Sequence, residues 1–411
     1  MSFIAVLKHA LAPCALSLAV GSFSLPAVAF VEDITAVFRP DPSNPMSNKF
    51  INTTPQSGLC PWHVPAKCAA VNTFSIRNTQ FRASSSGVIP AYPDDPRKSA
   101  YFKVPSAFRD LQVTHRGTGR VETVQMRIAG IGANMGVPSV SSWGTADSAW
   151  NRYWYGAPPP CMPINYFAAG TNFLLFFWIV PENAGACSVT NGYPITRMSY
   201  SHLEYGYELK TPNPLGMEAG VYEGSLTYSM GPGADFDFGD TMIPNDNVAT
   251  FNFTLSVEHV LKVDLPPGGN RIELIPEGGW QAWLNQGRRP SRLFRDQTFT
   301  IAASTRFKMT LECGLVIGNT CGLRNGDGDE VPLQIAVTLP FGLNDQYDQV
   351  LTKRALRLDG SGTELIQATH YVNQRPGTLH FEVEKDDVSA MLQKPGTTYS
   401  GMATVIWDSQ I

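Results

Sequence analysis

Residues 173–180 read FLLFFWIV, eight apolar or aromatic side chains in a row between Asn172 and Pro181. Eight residues between such boundaries have the length of a strand. The run predicts a strand buried on both faces, in the middle of a sandwich. Elsewhere the same theme is weaker. Residues 251–257 (FNFTLSV), 334–339 (QIAVTL) and 380–383 (HFEV) alternate with a period of two, as strands with one inward face do. Only 386–392 (DDVSAML) has a helical pattern, and it is barely two turns long before Pro395-Gly396. Charged residues make up 16% of the chain, while glycine and proline number 36 and 31. That charge content is low for a globular protein. Few charges, frequent turn formers and many β-branched or aromatic positions predict an all-β protein.

The N-terminus reads as a secretory signal over 1–29: Lys8, an apolar run from Ala10 to Phe23, then Ala27-Val28-Ala29 before Phe30. Its removal takes Cys14 and leaves six cysteines in three couples, Cys60 with Cys68, Cys161 with Cys187 and Cys313 with Cys321. An even count in an exported chain predicts disulfides. Pairing within each couple is the simplest expectation, although six cysteines formally permit about fifteen connectivities. No couple has C-x-x-C spacing, so neither a zinc knuckle nor a redox motif is indicated. With a net charge of −4 and no basic stripe, nucleic acid is not expected as a partner.

Residues 265–270 (LPPGGN) end a strand and make a joint, because prolines cannot extend a ladder and glycines turn freely. The expected organisation is a first domain over 30–266, a linker over 267–270 and a second domain over 271–411. A short echo relates the two. Tyr222, Gly224 and Thr227 follow a Tyr-x-Gly-x-x-Thr pattern that Tyr399, Gly401 and Thr404 repeat. After the first copy comes a loop and another well-patterned strand, 251–265; after the second, only four residues follow Trp407. The expectation is a second sandwich lacking its last strand, an edge that invites pairing with another chain.

The stretch 396–408 (GTTYSGMATVIWD) resembles the closing strand of fimbrial subunits. Residues 37–63 resemble the start of the mature receptor-binding domain of fimbrial tip proteins, and 259–280 resemble the junction that follows it. Across nearly its whole length the chain resembles the two-domain tip adhesins of chaperone–usher fimbriae. The resemblance implies two immunoglobulin-like β-sandwich domains in tandem, the second an incomplete pilin-type sandwich. It implies a lectin-like first domain that binds a host or environmental glycan at the fibre tip on the cell surface. The implied partners are a periplasmic chaperone, an outer-membrane usher and an adjacent pilus subunit that donates a strand; no cofactor or metal is implied. The first domain is longer than many fimbrial lectin domains, so no ligand contacts transfer by position. Tyr399, Gly401, Ala403, Val405 and Trp407 form one face of the final strand, Met402, Thr404 and Ile406 the other, and which of them lines the groove stays open.

Residues 143–161 (WGTADSAWNRYWYGAPPPC) concentrate three of the eight tryptophans. Sugars pack their C–H faces on aromatic rings, and Asp, Asn and Arg bond their hydroxyls. The expected ligand contacts are therefore Trp150, Tyr153 and Trp154, with Asp147, Asn151 and Arg152 as polar partners; the opposing reading tucks the rings beneath the loop. The acidic loop 234–247 holds Asp235, Asp237, Asp240 and Asp246 without EF-hand spacing, so an ordinary loop is expected rather than calcium. No nucleophile elbow, H-E-x-x-H or phosphate loop is present, so an enzyme is not expected. Two other readings remain at this level: a structural minor pilin, and a secreted carbohydrate-active enzyme whose paired carboxylates sequence cannot single out.

Overall fold

The structure, a computed structural model, describes residues 30–138, 144–150, 154–287 and 289–409. The expected signal over 1–29 lies outside the described residues. The protein is all-β, in two domains with separate hydrophobic cores.

The main strands of the first domain are β1 (Phe30–Phe38), β2 (Arg109–His115), β3 (Val121–Gly136), β4 (Met162–Ala169), β5 (Phe173–Ile179), β6 (Ser199–Lys210), β7 (Gly220–Ser229) and β8 (Val248–Val257). Two short helices, α1 (Leu59–His63) and α2 (Pro65–Ala70), join them. The long strand β3 organises the sheet. It pairs with β6 along one edge, while β2 takes the first half of its other edge and β5 the second. The sheet therefore divides and curls around a core that includes Phe30, Met126, Tyr205, Tyr228 and Phe251.

Residues 174–178 of the run are buried on both faces as expected, whereas Phe173 is 40% exposed, and the reason for the burial is specific. Leu174, Phe176 and Trp178 enter the main core, whereas Leu175 and Phe177 meet Leu59, Cys60, Cys68 and Ile164. The outer face is thus covered by α1 and α2, which the Cys60–Cys68 bridge joins. The other two bridges also follow the local couples, Cys161–Cys187 and Cys313–Cys321.

The second domain comprises β9 (Leu261–Asp264), β10 (Leu293–Ala303), β11 (Lys308–Cys313), β12 (Thr320–Arg324), β13 (Glu330–Thr338), β14 (Val372–Val383) and β15 (Ala403–Asp408). One sheet runs β9-β10-β14-β13-β12, and β11 pairs with β15 opposite it. Because β9 pairs with β10, the change of core falls at 258–260, before LPPGGN. The Pro-Pro-Gly-Gly joint is a break inside the first edge of the second domain, since Ile275–Pro276 rejoins the far end of β10.

His259 sits at the junction. Its Nε2 donates to the Met217 carbonyl at 2.9 Å, and its Nδ1 lies 3.2 Å from Ser304 Oγ. A carbonyl can only accept, which puts the proton of the neutral ring on Nε2. Burial pushes the His259 pKa below its ordinary value, with the Met217 bond opposing. Nearby, the Tyr371 amide donates to the Pro45 carbonyl across the same junction.

Candidate functional site

The second domain leaves one strand edge open. β15 pairs with β11 from Lys308↔Asp408 to Cys313↔Ala403, and among the described residues no strand lies along its other edge. Tyr399, Ala403, Val405 and Trp407 pack on the second core, Trp407 at 5.1 Å from Phe299 and 5.7 Å from Phe307, yet all four stay only half-buried. That parity points inward. β11 leads to β12 through the Cys313–Cys321 bridge, whereas Trp407 meets β10. The open edge therefore falls on the side where β9 borders the facing sheet. There Leu261, Val263, Ile272 and Leu274 are likewise only partly covered. Apolar side chains thus line both banks of a furrow.

The Tyr-x-Gly-x-x-Thr echo has a physical basis. A Cβ on Gly224 would stand 2.3 Å from the Gln112 carbonyl oxygen, and one on Gly401 would stand 2.4 Å from that of Gly322. Each glycine lets a neighbouring strand close in, so Gly401 offers the furrow no side chain. In the first domain β7 lies between β2 and β8. In the second, β15 pairs with β11 and Gly401 closes on β12, while among the described residues the edge corresponding to β8 is open.

The tryptophan stretch folds differently from the expected ligand surface. Trp150 and Trp154 are 3% and 2% exposed. Trp154 stacks on Trp178 at 5.3 Å and meets Trp150 edge-on at 5.4 Å. Both are core residues covering β5, so their rings cannot contact a surface ligand. Asp147 is half-buried in a short turn, Ala146–Ala149. Asn151, Arg152 and Tyr153 lie outside the described residues. The next ring, Tyr155, is 54% exposed.

Tyr155 lies beside the α1–α2 cap, against Lys67. Lys67 Nζ lies 5.7 Å from the Tyr155 ring and 6.0 Å from the Tyr166 ring, and donates to the Asn165 carbonyl. His63 is 6.1 Å from Tyr166. Trp62, 59% exposed, has the Arg77 guanidinium 4.6 Å from its centroid. Arg77 is held by Glu204, a fully buried carboxylate, through Nε at 2.8 Å and Nη2 at 2.6 Å. Glu204 also accepts from the Leu59 amide at 2.8 Å, anchoring α1. Gly58 makes room for this carboxylate: its φ of +88° favours glycine, and a Cβ there would lie 2.7 Å from Glu204. Pattern reading missed these residues. The Cys60–Cys68 couple marked the place, and Trp62 lies between those two cysteines.

The acidic loop is consumed by ion pairs. Arg97 bonds both Asp237, at 2.7 Å, and Asp240, at 2.7 Å. Burial works against a charged Asp237, but Arg97 and backbone amides outweigh it and leave its pKa lowered. Asp235 pairs with Arg109, and Asp246 accepts from the Phe30 amide. Among the described residues no three His, Cys, Asp or Glu side chains gather as a metal site. A shallow recess of about 390 Å³ lies nearby, lined by Lys103, Phe108, Arg109, Asn183 and Asp235. Of the arginines over 288–295, Arg292 lies near Glu277 and Glu382, and Arg288 is outside the described residues.

No family model and no curated protein matches the sequence. The chain is similar to solved fimbrial tip adhesins. One is the adhesive subunit of the CFA/I fimbria of enterotoxigenic Escherichia coli, at 12% identity over 92% of each chain with a TM-score of 0.23. A chaperone–tip adhesin complex of CFA/I fimbriae matches at 10% identity over 93% of this chain and 97% of that one, with a TM-score of 0.25. A chaperone–tip adhesion subunit complex of the archaic Csu pili of Acinetobacter baumannii matches at 10% identity over 93% and 99%, with a TM-score of 0.21.

Proposed function

We propose that the protein is a fimbrial tip adhesin. Its first domain binds a surface receptor, a glycan, and its second domain joins the fibre by taking a strand from the adjacent subunit. The observation that carries this reading is the open apolar furrow beside β15. Half-covered Val405 and Trp407 beside an unpaired strand edge are a ready template for a strand from another chain. The order β2-β7-β8 in the first domain supplies the template, with the added strand taking the place that β8 holds there. An adjacent subunit would fill the furrow in the fibre, and a periplasmic chaperone would fill it before delivery to an outer-membrane usher. No step of this function is catalytic.

The test is export of the full chain to a periplasm without other fimbrial proteins. Aggregation or proteolysis that a co-expressed chaperone relieves supports the reading. A stable, soluble monomer in the absence of any such protein counts against it, as does failure of chain-coated beads to attach to any glycan-bearing cell.

A further inference from the structure

We infer that the disulfide-joined α1–α2 cap is the receptor site, and that its ligand is an anionic saccharide stacked on Trp62 and Tyr155 beside Lys67. The inference rests on the adhesin reading and names the receptor class. Tryptophan and tyrosine are enriched at interaction surfaces, where an apolar ring body and a polar tip both find partners. Here Trp62 of α1 is more than half exposed, as is Tyr155, which lies against Lys67 of α2, and a cation backs each ring.

The face is held in advance of binding. A chain of contacts runs from the buried Glu204 carboxylate through Arg77 to the Trp62 ring. The same carboxylate fixes the first turn of α1. Lys67 ties the second ring pair to the β4 bulge at Asn165. Such a surface has little conformational freedom left to lose when a ligand docks.

Charge selects the class of sugar. The polar groups beside the rings are Lys67, His63 and Arg77, all able to donate. The one carboxylate among them is buried and spent on Arg77. Lys67 bonds a carbonyl, and among the described residues no carboxylate is paired with it. A carboxylate or sulfate on the ligand supplies the missing anion, while its pyranose C–H face covers an aromatic ring. The recess at Lys103 and Arg109 is the weaker site, because the Asp235 carboxylate lines it and opposes an anion.

The test uses the full chain and isothermal titration with three probes: 3′-sialyllactose, a chondroitin sulfate hexasaccharide and neutral lactose. One acidic probe is expected to bind at least about tenfold more tightly than lactose, and which one does so tells carboxylate from sulfate. Trp62→Ala and Lys67→Gln should each weaken that binding by about tenfold without moving the melting temperature. Phe108→Ala, in the other recess, should leave it unchanged. The inference is overturned if neither acidic probe binds, if lactose binds equally well, or if Phe108→Ala abolishes binding that Trp62→Ala retains. Chaperone rescue of the same preparation separates the two levels: a rescued chain that binds no acidic saccharide refutes this site and leaves the adhesin reading standing.

Discussion

Trp154 and Tyr155 are neighbours in sequence with opposite surroundings, one against Trp178 in the core and the other in water. Trp154→Ala should cost about 3–5 kcal/mol in chemical denaturation, the range for a large ring removed from a core. Tyr155→Ala should stay within about 0.5 kcal/mol of the parent and act on saccharide binding alone. Equal effects on stability would refute the placement of both. Glu204 poses a harsher case. With Glu204→Ala the Arg77 guanidinium, held in a side chain only 17% exposed, loses its partner, and a loss of about 3–5 kcal/mol is expected. The aromatic density of 143–161 was legible in the sequence, but the direction of each ring was not. An irregular segment has no period from which inward and outward positions can be counted. The run 173–180 was legible because length and uniform apolarity suffice for a strand covered on both sides.

At the level of elements, the cap was the part sequence reading did not reach. α1 and α2 have five and six residues and no side-chain hydrogen bond at either N-cap. Too short to show a helical period, they owe their shape to the Cys60–Cys68 bridge, the Glu204 anchor and packing on Leu175 and Phe177. Replacing both cysteines by alanine should lower stability by about 2–3 kcal/mol through the freed loop. The same change should open 59–70 to limited proteolysis and weaken saccharide binding, with β15 unaffected. Unchanged proteolysis would show that the bridge does not hold the cap. For the final strand, alternation was readable but parity was not. The two faces, Ala403-Val405-Trp407 and Thr404-Ile406, differ little in apolarity, and only the facing Phe299 and Phe307 decide between them.

On the scale of the whole molecule, an all-β chain of two domains was legible from composition and turn residues. The joint was read a few residues late because the Pro-Pro-Gly-Gly break looks like a domain boundary but lies within one interrupted edge. The true junction turns on His259, whose folded pKa lies below the 6.5 of a free ring because burial disfavours the cation. The unfolded chain therefore takes up the proton first. Junction stability is complete above pH about 6.5 and declines as pH falls through that value toward the folded pKa. Melting temperatures below that pH should fall less steeply in His259→Gln, whose amide can still donate to Met217; an identical slope would remove His259 from the junction's acid response.

Backbone hydrogen exchange reads the open furrow beside β15 strand by strand. The full chain is compared with a version that continues past Ile411 through a tight Asn-Gly turn into a strand of alternating valine and threonine. Rapid exchange is expected at alternate amides of Ala403–Asp408 in the unextended chain, with strong protection there in the extended one and a higher melting temperature. Amides of that strand already protected throughout in the unextended chain, and indifferent to the added strand, would contradict the open furrow.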